Sequence, residues 1–209
     1  MMMARQDMPH SQAVTPRTQG LNHIEVALDA TPQAAQLINH LHRFVREGDA
    51  SLDLVYALPP RHDALSRFET VQAEFDAEVV RLVNQQFDAY AQTLSEHHLP
   101  VNHRHFLPAQ RQIEDALLSH VEASRPDLLV MGMTEHPLRR SGWMLDSTSY
   151  MLATHSPVST LVLKRPPLKA DGLKVLVATD GSSYAMNAIE RLTTFLPVEN
   201  VEISLLTVI

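Results

Sequence analysis

At 209 residues with 44% hydrophobic side chains, the chain has room for one α/β domain and part of another, and enough apolar material for a core. A net charge of −7 and a pI near 5.9 exclude a general binder of nucleic acid or acidic membrane, because nothing neutralises phosphates in bulk. The absence of cysteine excludes disulfides, thiolate metal sites and cysteine nucleophiles.

Residues 1–20 are polar, carry Pro9 and Pro16, and are expected to be a flexible tail. They lack the apolar core of a signal peptide, and no apolar run reaches the ~20 residues of a membrane helix. A cytoplasmic protein with no membrane partner is the expectation. His23 to Leu28 reads as a first strand ending at Asp29. Thr31 is a helix N-cap candidate with Pro32 at the first helical position. Ala35, Leu37, Ile38, Leu41, Phe44 and Val45 then keep helical spacing until Gly48-Asp49. Ser51 to Leu58 is a second strand, closed by Pro59-Pro60.

Leu65, Phe68, Val71, Phe75, Val79, Leu82, Val83, Phe87, Tyr90 and Leu94 predict one long helix with a single apolar stripe, its phenylalanines serving the core. Val101 to Leu107 is a third strand, and Ile113 to Val121 a helix stopped before Pro126. Leu128 to Met131 is a wholly apolar fourth strand, which suits a parallel sheet covered on both faces. A polar loop from Thr134 to Asp146, a short helix from Ser147 to Thr154 and a fifth strand from Val158 to Lys164 complete the set. This alternation predicts an open, parallel, five-stranded, doubly wound sheet, a Rossmann-like three-layer sandwich with right-handed crossovers. Strand, helix (Ser183 to Leu196) and strand (Val201 to Val208) then repeat the opening arrangement, with Asp29 and Asp180 in equivalent places. The division expected is a tail at 1–20, a first repeat at 21–166, a linker at 167–172 and an incomplete second repeat at 173–209.

Val177-Ala-Thr-Asp-Gly-Ser-Ser183 is similar to the opening of universal stress protein domains. Asp127-Leu-Leu-Val-Met-Gly132, the polar loop, Ser147 to Val158 and Leu161-Val-Leu-Lys164 resemble the way those domains close. The whole resembles a tandem universal stress protein whose second repeat is cut short. The resemblance implies a role in stress survival and, in some members, ATP at the carboxyl ends of the strands. That location also follows from the general rule for open α/β sheets.

In ATP-binding members a glycine ends the fourth strand, a second follows three residues later, and a Gly-Ser or Gly-Thr pair opens the last helix. Gly132 matches the first, but Glu135 stands at the second position and Asp146-Ser147 at the pair. A carboxylate about 5 Å from a phosphate repels it by about 3 kcal/mol at an effective dielectric of about 20, before screening. Arg139, Arg140, Ser141, Gly142, Ser147 and Thr148 are candidate anion-holding residues, and Asp29 a candidate acceptor from an adenosine hydroxyl. Asp180 would serve likewise in the incomplete repeat. Asp29 also reads as a turn or cap at a strand end.

No Gly-x-Ser-x-Gly elbow, Walker lysine loop or His-Glu-x-x-His is present. The reading is therefore a non-enzymatic stress-response binding or regulatory protein with a degenerate nucleotide cleft, no catalytic residues and no resident cofactor. One alternative is an ATP-binding sensor with at most slow hydrolysis. Another is a metal-binding protein using His97, His98, His103 and His105, of which the last two share one face of the predicted third strand. The expected partners are an unidentified protein and a second copy of the chain, joined through the edge strand Val158 to Lys164.

Overall fold

The computed structural model describes residues 21–45, 50–60, 69–133, 147–163, 173–195 and 201–207. Five strands, β1 (His23–Ala27), β2 (Ser51–Leu58), β3 (Val101–Pro108), β4 (Leu128–Gly132) and β5 (Ser159–Leu163), form one sheet in the order β3-β2-β1-β4-β5. Every pairing is parallel, so each connection must cross a face of the sheet. The crossovers contain α1 (Pro32–Leu41), α2 (Glu69–Glu96), α3 (Ile113–Ser124) and α4 (Ser147–His155). The expected doubly wound architecture is borne out.

The apolar strand residues divide by parity. Ile24, Val26, Leu52, Leu54, Leu128 and Val130 face α1 and α2, where Leu37, Ile38, Leu41, Val83, Phe87 and Leu94 complete one core. Val55, Ala57, Leu129 and Met131 face α3 and α4, meeting Leu117, Val121 and Leu152. Asp127 pins the sheet's centre: its carboxylate accepts the backbone N–H of Asn22 at 2.9 Å and of His23 at 3.1 Å. The start of β4 is thereby tied to the start of β1.

Local chemistry sets the helix ends, with two departures from expectation. Pro32 does open α1, but the Thr31 side chain does not cap it. Asp29 holds the turn instead, accepting from the Thr31 N–H at 3.1 Å. The helix stops at Leu41 rather than reaching Val45. There the bonds tighten to three-residue spacing, Arg43 N–H to His40 O and Phe44 N–H to Leu41 O. α3 ends where Arg125 takes a left-handed conformation (φ 50°), and Pro126 cannot continue a helix.

The long stripe of α2 is only half core, which corrects the expectation. Val83, Phe87 and Leu94 are buried, whereas Val71 and Phe75 are each 58% exposed and Leu82 is 48% exposed. For Val71 and Phe75 the reason is length. Twenty-eight residues of α-helix extend about 42 Å, while the eight residues of β2 span about 26 Å. The amino-terminal part of α2 overhangs the sheet that its stripe was expected to cover. Phe68 lies outside the described residues.

A second unit follows. β6 (Leu173–Thr179), α5 (Ser183–Phe195) and β7 (Val201–Thr207) form a parallel βαβ unit with a two-stranded sheet of its own. Leu173, Val175 and Leu192 touch the first core, but Leu176, Ile203 and Leu205 are all more than half exposed. Two strands and one helix have too little surface to cover both faces. The expected tail (1–20) and linker (167–172) lie outside the described residues. No helix among the described residues is long and apolar enough to cross a membrane.

Phe87 is 1% exposed and stacks on Phe106 at 5.8 Å between ring centroids. Phe87→Ala should lower unfolding free energy by about 3–5 kcal/mol, and Phe75→Ala by no more than about 0.5 kcal/mol. Urea denaturation of the two variants checks the division of α2.

Candidate functional site

The order β3-β2-β1-β4-β5 reverses direction between β1 and β4. The crossover after β1 runs over one face and that after β4 over the other, so a crevice opens at their carboxyl ends. A cavity of about 380 Å³ occupies it. β1 contributes Ala27 and the turn Leu28-Asp29 that follows it, β2 contributes Tyr56 and Ala57, and β4 contributes Met131 and Gly132, with Met133 just after it. Gln33 and Leu37 of α1, Ile113 and Leu117 of α3, and Thr148 and Ser149 of α4 close the walls.

The structure brings Asp29, Gly132 and Thr148 together around this space. Asp29 is already engaged, since its Oδ1 accepts from the Thr31 N–H and from the Thr31 hydroxyl at 2.5 Å. Its charge reaches Tyr56 and Tyr90, whose hydroxyl pKa values are raised first by burial and then by Asp29. At Gly132 an added Cβ would stand 3.4 Å from Leu37 Cδ1, so β4 ends in close contact with α1. The Ser149 hydroxyl donates to the Gly132 carbonyl at 3.4 Å, tying α4 to the same point. Ser147 is exposed at the first residue of α4. Arg139, Arg140, Ser141 and Gly142 lie outside the described residues, as do Glu135 and Asp146.

One participant was missed by sequence reasoning. The Thr148 hydroxyl donates to Glu114 Oε1 at 2.8 Å. Glu114 belongs to the first turn of α3, where a carboxylate is ordinarily read as a partner of the helix dipole. Its 34-residue separation from Thr148 left no local signal. Among the described residues no lysine or arginine lines the cavity.

Asp180 does not line this cavity, but it repeats the Asp29 turn. Its Oδ1 accepts the Ser182 N–H at 2.9 Å, with Gly181 between them at φ 76°. The Ser182 hydroxyl, followed by the Ser182 backbone N–H, holds the Asp180 carboxyl below its ordinary pKa.

The four histidines singled out from sequence separate. His97 stacks on His42 with ring centroids 3.8 Å apart, and His98 is an exposed residue at φ 56°. His103 and His105 do share a face, with ring centroids 6.1 Å apart. They meet a different set: His23 and Glu25 of β1, Asp53 of β2 and His120 of α3. Glu25 and Asp53 are register partners on neighbouring strands, and they are 0% and 3% exposed. The Nε2 atoms of His23 and His105 stand 3.1 and 3.2 Å from Asp53 Oδ2, and the His120 Nε2 stands 3.2 Å from Glu25 Oε1. Burial pushes the Asp53 carboxyl up, but bonds from His105 and His23 outweigh it and leave its pKa below the ordinary value. The signal that was available is a lone carboxylate in each of two strands whose neighbours are all buried, Ile24-Glu25-Val26 and Leu52-Asp53-Leu54.

A model of the universal stress protein family matches residues 20–164. Among solved structures, the hypothetical protein MJ0577 is 15% identical with a TM-score of 0.58, covering 71% of this chain and 99% of that one. The universal stress protein UspA from Lactobacillus plantarum is 19% identical with a TM-score of 0.52, covering 69% and 99%. A universal stress protein from Archaeoglobus fulgidus is 12% identical with a TM-score of 0.50, covering 68% and 93%. Among curated proteins no significant sequence match is found.

The Thr148–Glu114 bond should be measurable as a coupling. In a double-mutant cycle of Thr148→Val and Glu114→Gln, unfolding free energies should deviate from additivity by about 1 kcal/mol. Additivity within about 0.3 kcal/mol would show that the two side chains act independently.

Proposed function

The chain belongs to the universal stress protein family, and we propose that within it this protein is a non-enzymatic binding and regulatory module whose cleft does not accept a triphosphate. The observation that carries this reading is the bond from Thr148 to Glu114. A hydroxyl at the start of α4 is a natural hydrogen-bond donor to phosphate, and here Thr148 donates to a carboxylate instead. Glu114 stands behind Thr148 rather than on the cavity wall, and Asp29 supplies a negative charge on the wall itself. At an effective dielectric of about 20 and about 5 Å, each carboxylate repels a phosphate by about 3 kcal/mol before screening. The remaining lining is largely apolar, from Leu28, Leu37, Ala57, Leu117, Met131 and Met133. Such a wall suits a small uncharged group.

A second reading is an ATP-binding sensor with at most slow hydrolysis. The position of the cavity at the switch point favours it, with the first turns of α1 and α4 at its wall. Helix starts offer unpaired N–H groups to anions.

Assembly follows from the sheet edge. Among the described residues β5 has a neighbour on one side only, and all five of its residues are half-buried. An open edge of this kind favours pairing with a second copy of the chain. The shared Asx turn of Asp29 and Asp180 supports reading residues 173–209 as the opening of a second repeat.

Thermal unfolding tests the cleft. If ATP–Mg²⁺ binds no more tightly than about 1 mM, that concentration adds at most about 0.4 kcal/mol, which shifts the midpoint by about 1–2 °C. Glu114→Gln should raise ATP affinity by roughly tenfold, the repulsion being partly screened. A rise of more than about 5 °C in the unmodified protein would favour the sensor. For assembly, light scattering should return the mass of a dimer, and a monomer at all concentrations would remove the β5 pairing.

A further inference from the structure

The cluster beneath α3 is separate from the cleft. It lies on the same face of the sheet, toward the amino ends of the strands, with Glu25 two residues before the cavity-lining Ala27. Two carboxylates buried side by side repel one another and have lost their water. Such a pair needs positive charge or protons nearby. The ion pairs of Glu25 and Asp53 among the described residues are all to imidazoles, those of His23, His105 and His120. Even so, the 3.2 Å approach of His120 Nε2 to Glu25 Oε1 lacks hydrogen-bond geometry, and both Glu25 oxygens and His120 Nε2 are buried with no hydrogen bond. Buried polar atoms are rarely left so, and here three of them gather at one point.

We propose that this cluster is a binding site for a first-row divalent transition ion of the Zn²⁺ type, held by His23 Nε2, Glu25 and Asp53. One donor atom from each lies within 4.8 Å of the other two. The closer separations, 3.1 Å from His23 Nε2 to Asp53 Oδ2 and 3.9 Å to Glu25 Oε1, bracket the roughly 3.4 Å edge of a tetrahedron built from bonds of about 2.1 Å. His105 and His120 flank the two carboxylates and orient them, the role that outer imidazoles and carboxylates play around bound metals. Nitrogen among the donors favours a transition ion over Mg²⁺ or Ca²⁺, which select all-oxygen sites. Two carboxylates would match the charge of a divalent ion, and among the described residues their ion pairs involve no lysine or arginine. Access exists: the side chains of His23 and His105 are 28% and 33% exposed, and His120 lines an open groove with Leu107, Arg111, Asp115 and Ser119.

The test is titration of the chelator-stripped full chain with Zn²⁺ by calorimetry and with Co²⁺ by visible absorption. One equivalent should bind. Glu25→Gln, Asp53→Asn and His23→Asn should each weaken binding by about tenfold or more. His23, being partly exposed, is the position where circular dichroism should report an unchanged fold. A control variant, His98→Asn with His155→Asn, removes two exposed imidazoles and should bind unchanged. Three outcomes would overturn the site: no saturable binding of either ion, binding that survives the cluster variants but disappears in the control, or Mg²⁺ binding as tightly as Zn²⁺. If Glu25→Gln stabilises the stripped protein and no metal binds, the cluster is a proton-sharing network.

Discussion

The central position of β1 is the constraint on which the rest depends. It stands in the middle of the five, with parallel partners on both sides, β2 on one and β4 on the other. Its five residues pair along their length with both neighbours, and its two ends are tied down as well. Asp127 holds the amino end through two backbone N–H groups. The Asp29 turn holds the carboxyl end and starts α1. With β1 placed, the chain must leave over one face and return over the other. The crevice between β1 and β4 is a consequence of that path.

The α3 face of the sheet is divided along its strands. Toward the carboxyl ends, Ala27, Ala57 and Met131 leave room and form the cavity floor. Toward the amino ends, the same face carries Glu25, Asp53 and their imidazoles. The opposite face has no such division and is filled by Ile24, Val26, Leu52, Leu54 and Leu128 against α1 and α2. Stability therefore comes chiefly from one face, while the chemically distinctive side chains collect on the other. A buried charge pair is a poor way to hold a sheet together, so its presence in two enclosed neighbouring strands points to use rather than to stability.

Much of the fold was legible because its signals are local. The apolar run Leu128–Met131, Pro32 at a helix start and Pro126 after a helix each act within a few residues. The first sheet and the separate βαβ unit could be read from such marks in order. What escaped depends on register and length. The meeting of Glu25 with Asp53 needs the alignment of two strands 28 positions apart, which periodicity does not contain. The Thr148–Glu114 bond joins two helices through space. His97 and His103 are close in sequence, yet the turn at His98 sends one toward His42 and the other to β2. Helical spacing in α2 was read correctly, but spacing cannot tell that a helix is longer than the sheet it covers.

Amide hydrogen exchange tests the central claim most directly. If β1 is the strand on which the fold depends, the slowest amides will be those of residues 24–27 in β1 and 129–131 in β4, opening only with global unfolding. The amides of β6 and β7, in a sheet of two strands, will exchange well before them. Equal protection of both sheets, or early exchange of β1, would contradict this account.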